Sequence, residues 1–185
     1  MSGAMRIGRG AGAALWLVLG AAACHHETKP DQPQKPAPEA SASAKIEARS
    51  SSNVSGKATF TQSGDRVSVR VEIAGAAPGL HGVHIHEKGD CSDPEGKSAG
   101  GHFNPAGVSH GAPDAAAHHP GDFGNVTVGA DGKGTLELTT AALTVGEGAN
   151  SVVGRAIIIH EKPDDLVTQP TGNAGGRIGC GVIQK

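Results

Sequence analysis

Aromatic side chains are scarce in this sequence, which contains 2% Phe, Trp and Tyr together and no Tyr at all. Positive charge is also limited, since Lys and Arg number 16 against 18 Asp and Glu, for a formal net charge of -2. A chain without a positive excess does not fit a nucleic-acid-binding protein. No segment beyond residue 23 shows the 3.6-residue apolar period of an amphipathic helix, which argues against a helical domain.

Glycine and proline are abundant instead, with 29 and 11 residues respectively. These residues favour turns over long helices, a composition typical of a small β-rich domain. With its first quarter set aside, a chain of 185 residues has room for one domain of ordinary size.

The first 23 residues have the features of an export signal. Arg6 and Arg9 precede an apolar run over residues 11–19, followed by small residues. The run is too short to span a bilayer as a permanent anchor. We therefore predict that residues 1–23 are a signal peptide. Its removal takes away two arginines and no acid, so the net charge becomes -4.

Three cysteines are an odd count, and the position of Cys24 explains the odd one. It directly follows the small residues, so we interpret the signal as the lipoprotein type, with Cys24 as the lipidated first residue of the mature chain. This predicts an exported protein of the periplasm or cell envelope, anchored to a membrane by lipid. Ala21 stands where such signals usually carry Leu, which leaves cleavage by the ordinary signal peptidase as the alternative.

The mature chain is predicted to have two parts. Residues 24–44 are rich in Pro, Ala, Lys, Glu and Ser, and we expect a disordered tether. His25 and His26 lie in this segment and are interpreted as solvated residues. The domain is expected over residues 45–185.

Within the domain, short apolar segments alternate with turns. The clearest is Val67 to Ile73, where apolar and polar residues alternate without a break, as in a strand with one face in the core. Further strands are predicted at 46–49, 56–62, 80–88, 126–128, 135–139, 152–161 and 178–183. About eight short strands with two long loops, 89–121 and 162–176, predict an all-β fold, an antiparallel barrel or sandwich.

Histidines are concentrated in and after one of these strands. His84 and His86 are two residues apart, so on a strand both imidazoles point to the same side. A loop as long as 89–121 is uncommon in a compact domain unless it is functional or held by something other than a core. Further ligand-type residues occur downstream, namely His102, His110, His119, Asp122 and His160. Together these residues predict a metal site.

Five motifs carry a resemblance to a known family. They are Leu-His-Gly-Val-His-Ile-His-Glu at 80–87, Ser-Ala-Gly-Gly-His-Phe-Asn-Pro at 98–105, His-Pro-Gly-Asp-Phe-Gly-Asn at 119–125, Gly-Arg-Ala-Ile-Ile-Ile-His-Glu-Lys-Pro-Asp-Asp at 154–165, and Gly-Asn-Ala-Gly-Gly-Arg-Ile-Gly-Cys-Gly-Val-Ile at 172–183. In this order the motifs resemble the copper-zinc superoxide dismutases over about residues 45–185. The short loop at 162–176 is similar to that of the bacterial exported branch.

The resemblance implies a Greek-key barrel that holds one copper and one zinc ion per subunit. It also implies conversion of superoxide to oxygen and hydrogen peroxide by alternate reduction and oxidation of copper. By position, the implied copper ligands are His84, His86, His102 and His160, and the implied zinc ligands are His102, His110, His119 and Asp122. His102 would then bridge the two metals. His118 competes with its neighbour for the zinc role, but the His-x-x-Asp register with Asp122 favours His119.

Other roles are implied by position as well. Asp164 matches a carboxylate outside the ligand set that links His84 to His110, whereas Asp165 fits a solvated loop charge better. Cys91 and Cys180 match the family's intrachain disulfide, which an exported location allows.

Two positively charged residues are predicted to attract the substrate. Arg177 matches the arginine that attracts superoxide, a small anion, to the copper, and with His102 it is the predicted catalytic residue. The charged residues that steer superoxide from the second loop of animal enzymes are missing, and Lys97 is a candidate substitute.

Alternatives to an active dismutase belong to other classes. A copper-binding or copper-delivery domain of the cell envelope would not need Arg177, the shared His102 and the full zinc set. A silent structural domain would be expected to lack a copper ligand. The oligomeric state is left open, with a homodimer among the states considered, because the mature chain has no Tyr or Trp for an aromatic subunit contact.

Overall fold

Antiparallel β-strands form almost all the regular structure of residues 40–185, the part of the chain that the computed structural model describes. The strands are β1 (Ala40–Ala48), β2 (Ser55–Ser63), β3 (Arg66–Ala74), β4 (Gly79–His86), β5 (Asp122–Val128), β6 (Lys133–Thr140), β7 (Ala156–His160) and β8 (Arg177–Val182), with a 3₁₀ turn at Lys97–Ala99. The described residues contain no helix of the length and apolarity that crossing a bilayer requires. The predicted signal peptide, Cys24 and most of the predicted tether lie outside them.

The eight strands close into one barrel in the order β1-β2-β3-β6-β5-β4-β7-β8. Closure comes from the pairing of β8 with β1, for example Cys180 opposite Glu47. The chain passes between non-neighbouring strands after β3 and again after β6, as in Greek-key barrels. The predicted all-β Greek-key fold is confirmed.

Strand alternation places the core inside the barrel. Along β3, Val67, Val69 and Val71 are buried while the residues between them are exposed. Phe60 of β2 is fully buried among them. This is the pattern of a sheet with one dry face, and the apolar area removed from water there stabilises the barrel.

The domain begins earlier than the sequence predicts. Strand β1 starts at Ala40, whereas the predicted tether extends to residue 44. Ala42, Ala44 and Ile46 alternate into the core, and β1 pairs with β2 along this length. Alanine and serine resemble linker composition, so the sequence alone does not reveal that small side chains are buried here.

Two other boundaries differ from the predicted ones. The strand predicted at 152–161 is limited to β7, because residues 152–155 form a turn in which Arg155 donates its backbone NH to Val152. Strand β5 begins at Asp122, four residues before the predicted start at 126, so a zinc-ligand candidate lies on a strand.

Two long connections, 87–121 and 161–176, cover the outer side of the barrel beside β4 and β7. The first is fixed to the end of β4, because Glu87 NH donates to Gly101 and Phe103 NH donates to Ile85. A disulfide joins Cys91 in this connection to Cys180 on β8. We call these two connections the covering loops.

Candidate metal centre

Strand β4 has different chemistry on its two faces. Val83 and Ile85 are fully buried in the barrel core. His84 and His86 alternate with them, so they point to the outer side and are buried under the covering loops. The same strand thus contributes to the apolar interior and to a polar cluster outside it.

Irregular pairing occurs at the histidines. The register of β4 against β5 shifts between Gly82 and His84, and that of β7 against β8 shifts between Ile159 and His160. Such irregularities re-aim side chains and are common near functional sites. They allow two strands to present imidazoles to one point.

The first cluster contains four buried histidines, and one ring nitrogen from each lies within 4.8 Å of the others. Its members are His84, His86, His102 and His160. Each has one buried ring nitrogen without a hydrogen-bond partner: Nδ1 of His84 and Nε2 of the other three. Buried polar atoms normally have partners, so four unpartnered nitrogens that converge fit a bound cation.

The opposite nitrogen of each ring is held by the protein. His86 Nδ1 lies 2.9 Å from the carbonyl of Gly100, and His160 Nδ1 lies 3.3 Å from that of Gly175. A carbonyl accepts only from N–H, so these rings carry their proton there and present a lone pair to the cluster. Burial lowers the pKa of His84 and His86 well below the usual value, and that of His160 to about 4.

The second cluster surrounds the carboxylate of Asp122. The Nδ1 atoms of His102 and His119 each lie 3.1 Å from Oδ1, and that of His110 lies 2.9 Å from Oδ2. The His110 approach lacks hydrogen-bond geometry, and its Nδ1 is unpartnered. Burial raises the pKa of Asp122, but the hydrogen bond from His102 and the nearby histidines lower it by more. The net pKa is therefore below the usual range.

His118 is not in either cluster. Its Nδ1 donates to the backbone carbonyl of His119 at 2.7 Å. Of the two neighbouring histidines, only His119 directs a ring nitrogen to Asp122. His119, which the His-x-x-Asp register favours, is therefore the residue of this pair that lies beside Asp122, and its zinc role stays a prediction.

Asp164 connects the two clusters from behind. Its Oδ2 is 2.8 Å from His84 Nε2, and its Oδ1 is 2.9 Å from His110 Nε2. All three side chains are inaccessible to solvent. Asp165, in contrast, is exposed and accepts hydrogen bonds from Thr168.

Two supporting residues were missed by the sequence reasoning. Asn125 bonds both the NH and the carbonyl of Asp164, at 2.7 and 2.9 Å. Gln169 does the same for His110, at 2.8 and 2.9 Å. Asn125 belongs to a quoted motif, and its amide group was the available signal; no pattern around Gln169 indicates its role.

Arg177 lies beside the four-histidine cluster. Its guanidinium donates to the carbonyls of Gly96 and Gly100, at 2.7 and 2.6 Å, and the Gly100 carbonyl also accepts from His86. Partial burial lowers the pKa of Arg177, which remains a cation. Arg177 and Lys97 both line one depression on the protein surface. Lys97 is exposed there and ion-paired with Glu95.

The protein is thus a disulfide-bonded β-barrel with a buried, histidine-rich candidate metal centre on its outer side. The family model described as copper/zinc superoxide dismutase (SODC) matches residues 54–183, and the chain belongs to this family. Among solved structures, the clock protein EA4 is 38% identical, with 78% of this chain and 93% of that chain covered and a TM-score of 0.71.

Proposed function

We propose that the protein is a superoxide dismutase with copper in the four-histidine cluster and zinc beside Asp122. The observation that carries the proposal is the convergence of unpartnered nitrogens in the first cluster. Four imidazole nitrogens suit copper. Three histidines and one carboxylate suit the tetrahedral preference of zinc.

Copper, when bound, would supply the two oxidation states needed to convert superoxide to oxygen and hydrogen peroxide. The residues of the chain would prepare and feed that centre. Arg177 would attract the anion, since it is a half-buried cation held rigidly by two carbonyls. His102 faces both clusters, so its Nε2 would hold a proton for the product whenever it is not ligating copper.

Asp164 would set the orientation of one ligand in each cluster. A carboxylate that accepts from His84 and His110 fixes their tautomers and turns the opposite nitrogen of each towards the metal. The disulfide would hold the loop whose carbonyls position Arg177.

Family membership alone does not establish catalytic activity, because a solved relative 38% identical to this chain is titled a clock protein. The second candidate is a copper-binding or copper-delivery domain. The choice between them depends on whether bound copper turns over superoxide.

The deciding experiment is superoxide decay measured by stopped flow with protein whose copper and zinc content is known. We expect a rate constant of about 10⁸ to 10⁹ per molar per second. His160→Ala should abolish it, whereas the matched control His118→Ala should retain it. A negligible rate with both metals bound would instead support copper handling.

We also propose export and lipid attachment at Cys24, from the sequence alone. Mass spectrometry of the protein purified from membranes should find a diacylglyceryl group on Cys24 as the first residue. Release by cleavage after another small residue would assign the signal to the ordinary signal peptidase.

A further inference from the structure

Gly172 lies against the hydrogen bond between Asp164 and His110. It is buried, and a Cβ atom built on it would fall well inside contact distance of Asp164 Oδ1 and 2.7 Å from His110 Nε2. Real Cβ atoms do not approach polar atoms this closely. Any side chain at this position must therefore displace the carboxylate or the ring.

The backbone of Gly172 is held in place. Its NH donates to Thr168 at 2.7 Å, and its carbonyl accepts from Asp165 NH at 2.8 Å. Its φ of 65° lies in the left-handed region that glycine adopts without a steric penalty. A substitution at Gly172 thus has little freedom to move the chain away.

The built Cβ lies nearest to the Asp164–His110 side of the network. Its three nearest atoms are Oδ1 and Cγ of Asp164 and Nε2 of His110, whereas Oδ2, which bonds His84, is not among them. We propose that Gly172 is a positioning residue that keeps the Asp164–His110 contact intact, and that its loss weakens the zinc site more than the copper site. The inference rests on the metal assignments of the proposed function, but not on dismutase activity.

The test compares Gly172→Ala with Gly64→Ala. Gly64 has a similar φ of 61° and open space around its Cβ position, so it controls for backbone strain alone. Zinc and copper affinities are measured separately by competition with chelators of known affinity. We expect zinc affinity to fall 10- to 100-fold in Gly172→Ala, the range for lost outer contacts. Copper affinity should fall several times less, and Gly64→Ala should change neither by more than about twofold.

A second measurement tests the proposal even if Gly172→Ala folds poorly. Removal of the carboxylate in Asp164→Ala makes room for a Cβ at position 172, so the two sites should be strongly coupled. The shift in urea midpoint caused by Gly172→Ala in metal-free protein should therefore be smaller in the Asp164→Ala background.

Three results would overturn the proposal. The first is an unchanged zinc affinity in folded Gly172→Ala. The second is an equal loss of both metals. The third is an equal midpoint shift, or a failure to fold, in both backgrounds. If the metal affinities change as expected but the protein has no dismutase activity, the proposed function is rejected and this inference still holds.

Discussion

The two sides of the barrel bury their strands in different ways. On the open wall, formed by β1, β2, β3 and β6, inward residues are apolar and outward residues reach solvent, as the alternating burial of β3 shows. On the covered wall, formed by β4, β5, β7 and β8, both faces are largely enclosed, and all five residues of β7 are buried. The covering loops account for the difference.

The two walls are also stabilised by different kinds of side chain. The open wall is stabilised by apolar burial, which is non-directional and tolerant of small shifts. The outer layer of the covered wall consists of buried histidines and carboxylates, which must be paired in specific directions because an unsatisfied buried polar group costs about 1–3 kcal/mol. Stability and site geometry should therefore be separable by mutation.

The largest expected effect comes from the link between the covering loops and the barrel. Replacement of Cys91 and Cys180 together by Ser should lower the free energy of unfolding by about 4–5 kcal/mol, since the bond closes a long segment. Urea unfolding of metal-free protein measures this value. Hydrogen exchange should increase first in 87–101. A loss below about 1 kcal/mol would mean that loop hydrogen bonds hold the covering without the disulfide.

The next effect tests the open wall alone. Phe60→Ala should destabilise the protein by about 3–5 kcal/mol, because it removes a fully buried ring from the core. Zinc affinity of the folded variant should be unchanged. Val167→Ala, at a side chain that is 71% exposed, is the control with little effect. A large zinc loss in Phe60→Ala would show that the two walls are not separable.

The converse change acts on the covered wall. Asp164→Asn leaves one oxygen acceptor for two histidines and should lower metal affinity 10- to 100-fold, with a much smaller loss of stability than Phe60→Ala. Chelator competition measures the affinities. Asp165→Asn, at the exposed neighbouring carboxylate, should retain normal affinity. Equal effects of the two substitutions would remove the special role assigned to Asp164.

The smallest effect compares surface charge on the two walls. Lys97→Ala should lower the superoxide rate by about twofold and weaken its salt dependence, whereas Lys45→Ala should change neither. Both lysines are exposed and paired with a glutamate, but of the two only Lys97 lines the same surface depression as Arg177. An unchanged salt dependence in Lys97→Ala would exclude steering by this residue.

The open wall was the easier to predict from sequence. The unbroken alternation from Val67 to Ile73 predicts β3 almost to its ends. Local pattern also places His84 and His86 on one face of a strand. The start of β1 was missed because Ala42 and Ala44 carry too little apolar surface to distinguish a buried strand from a linker.

The covered wall depends on contacts between distant residues. Asp164 and His110 are 54 positions apart, and no local pattern indicates that they meet. Only the family resemblance suggested that contact. The Gln169–His110 pair, which has no local signature, was not anticipated, since loops without a repeating pattern do not indicate their hydrogen-bond partners.

Closure of the barrel has a consequence for self-association. Because β8 pairs with β1, every strand of the sheet in the described residues has a paired neighbour on both sides, which limits the free edge that a second copy could extend by main-chain hydrogen bonds. The seam between β5 and β6 has fewer paired residues than the other strand pairs, with one position, Val128 opposite Gly134. If the folded protein forms fibrillar aggregates under stress, strand exposure should begin at this seam.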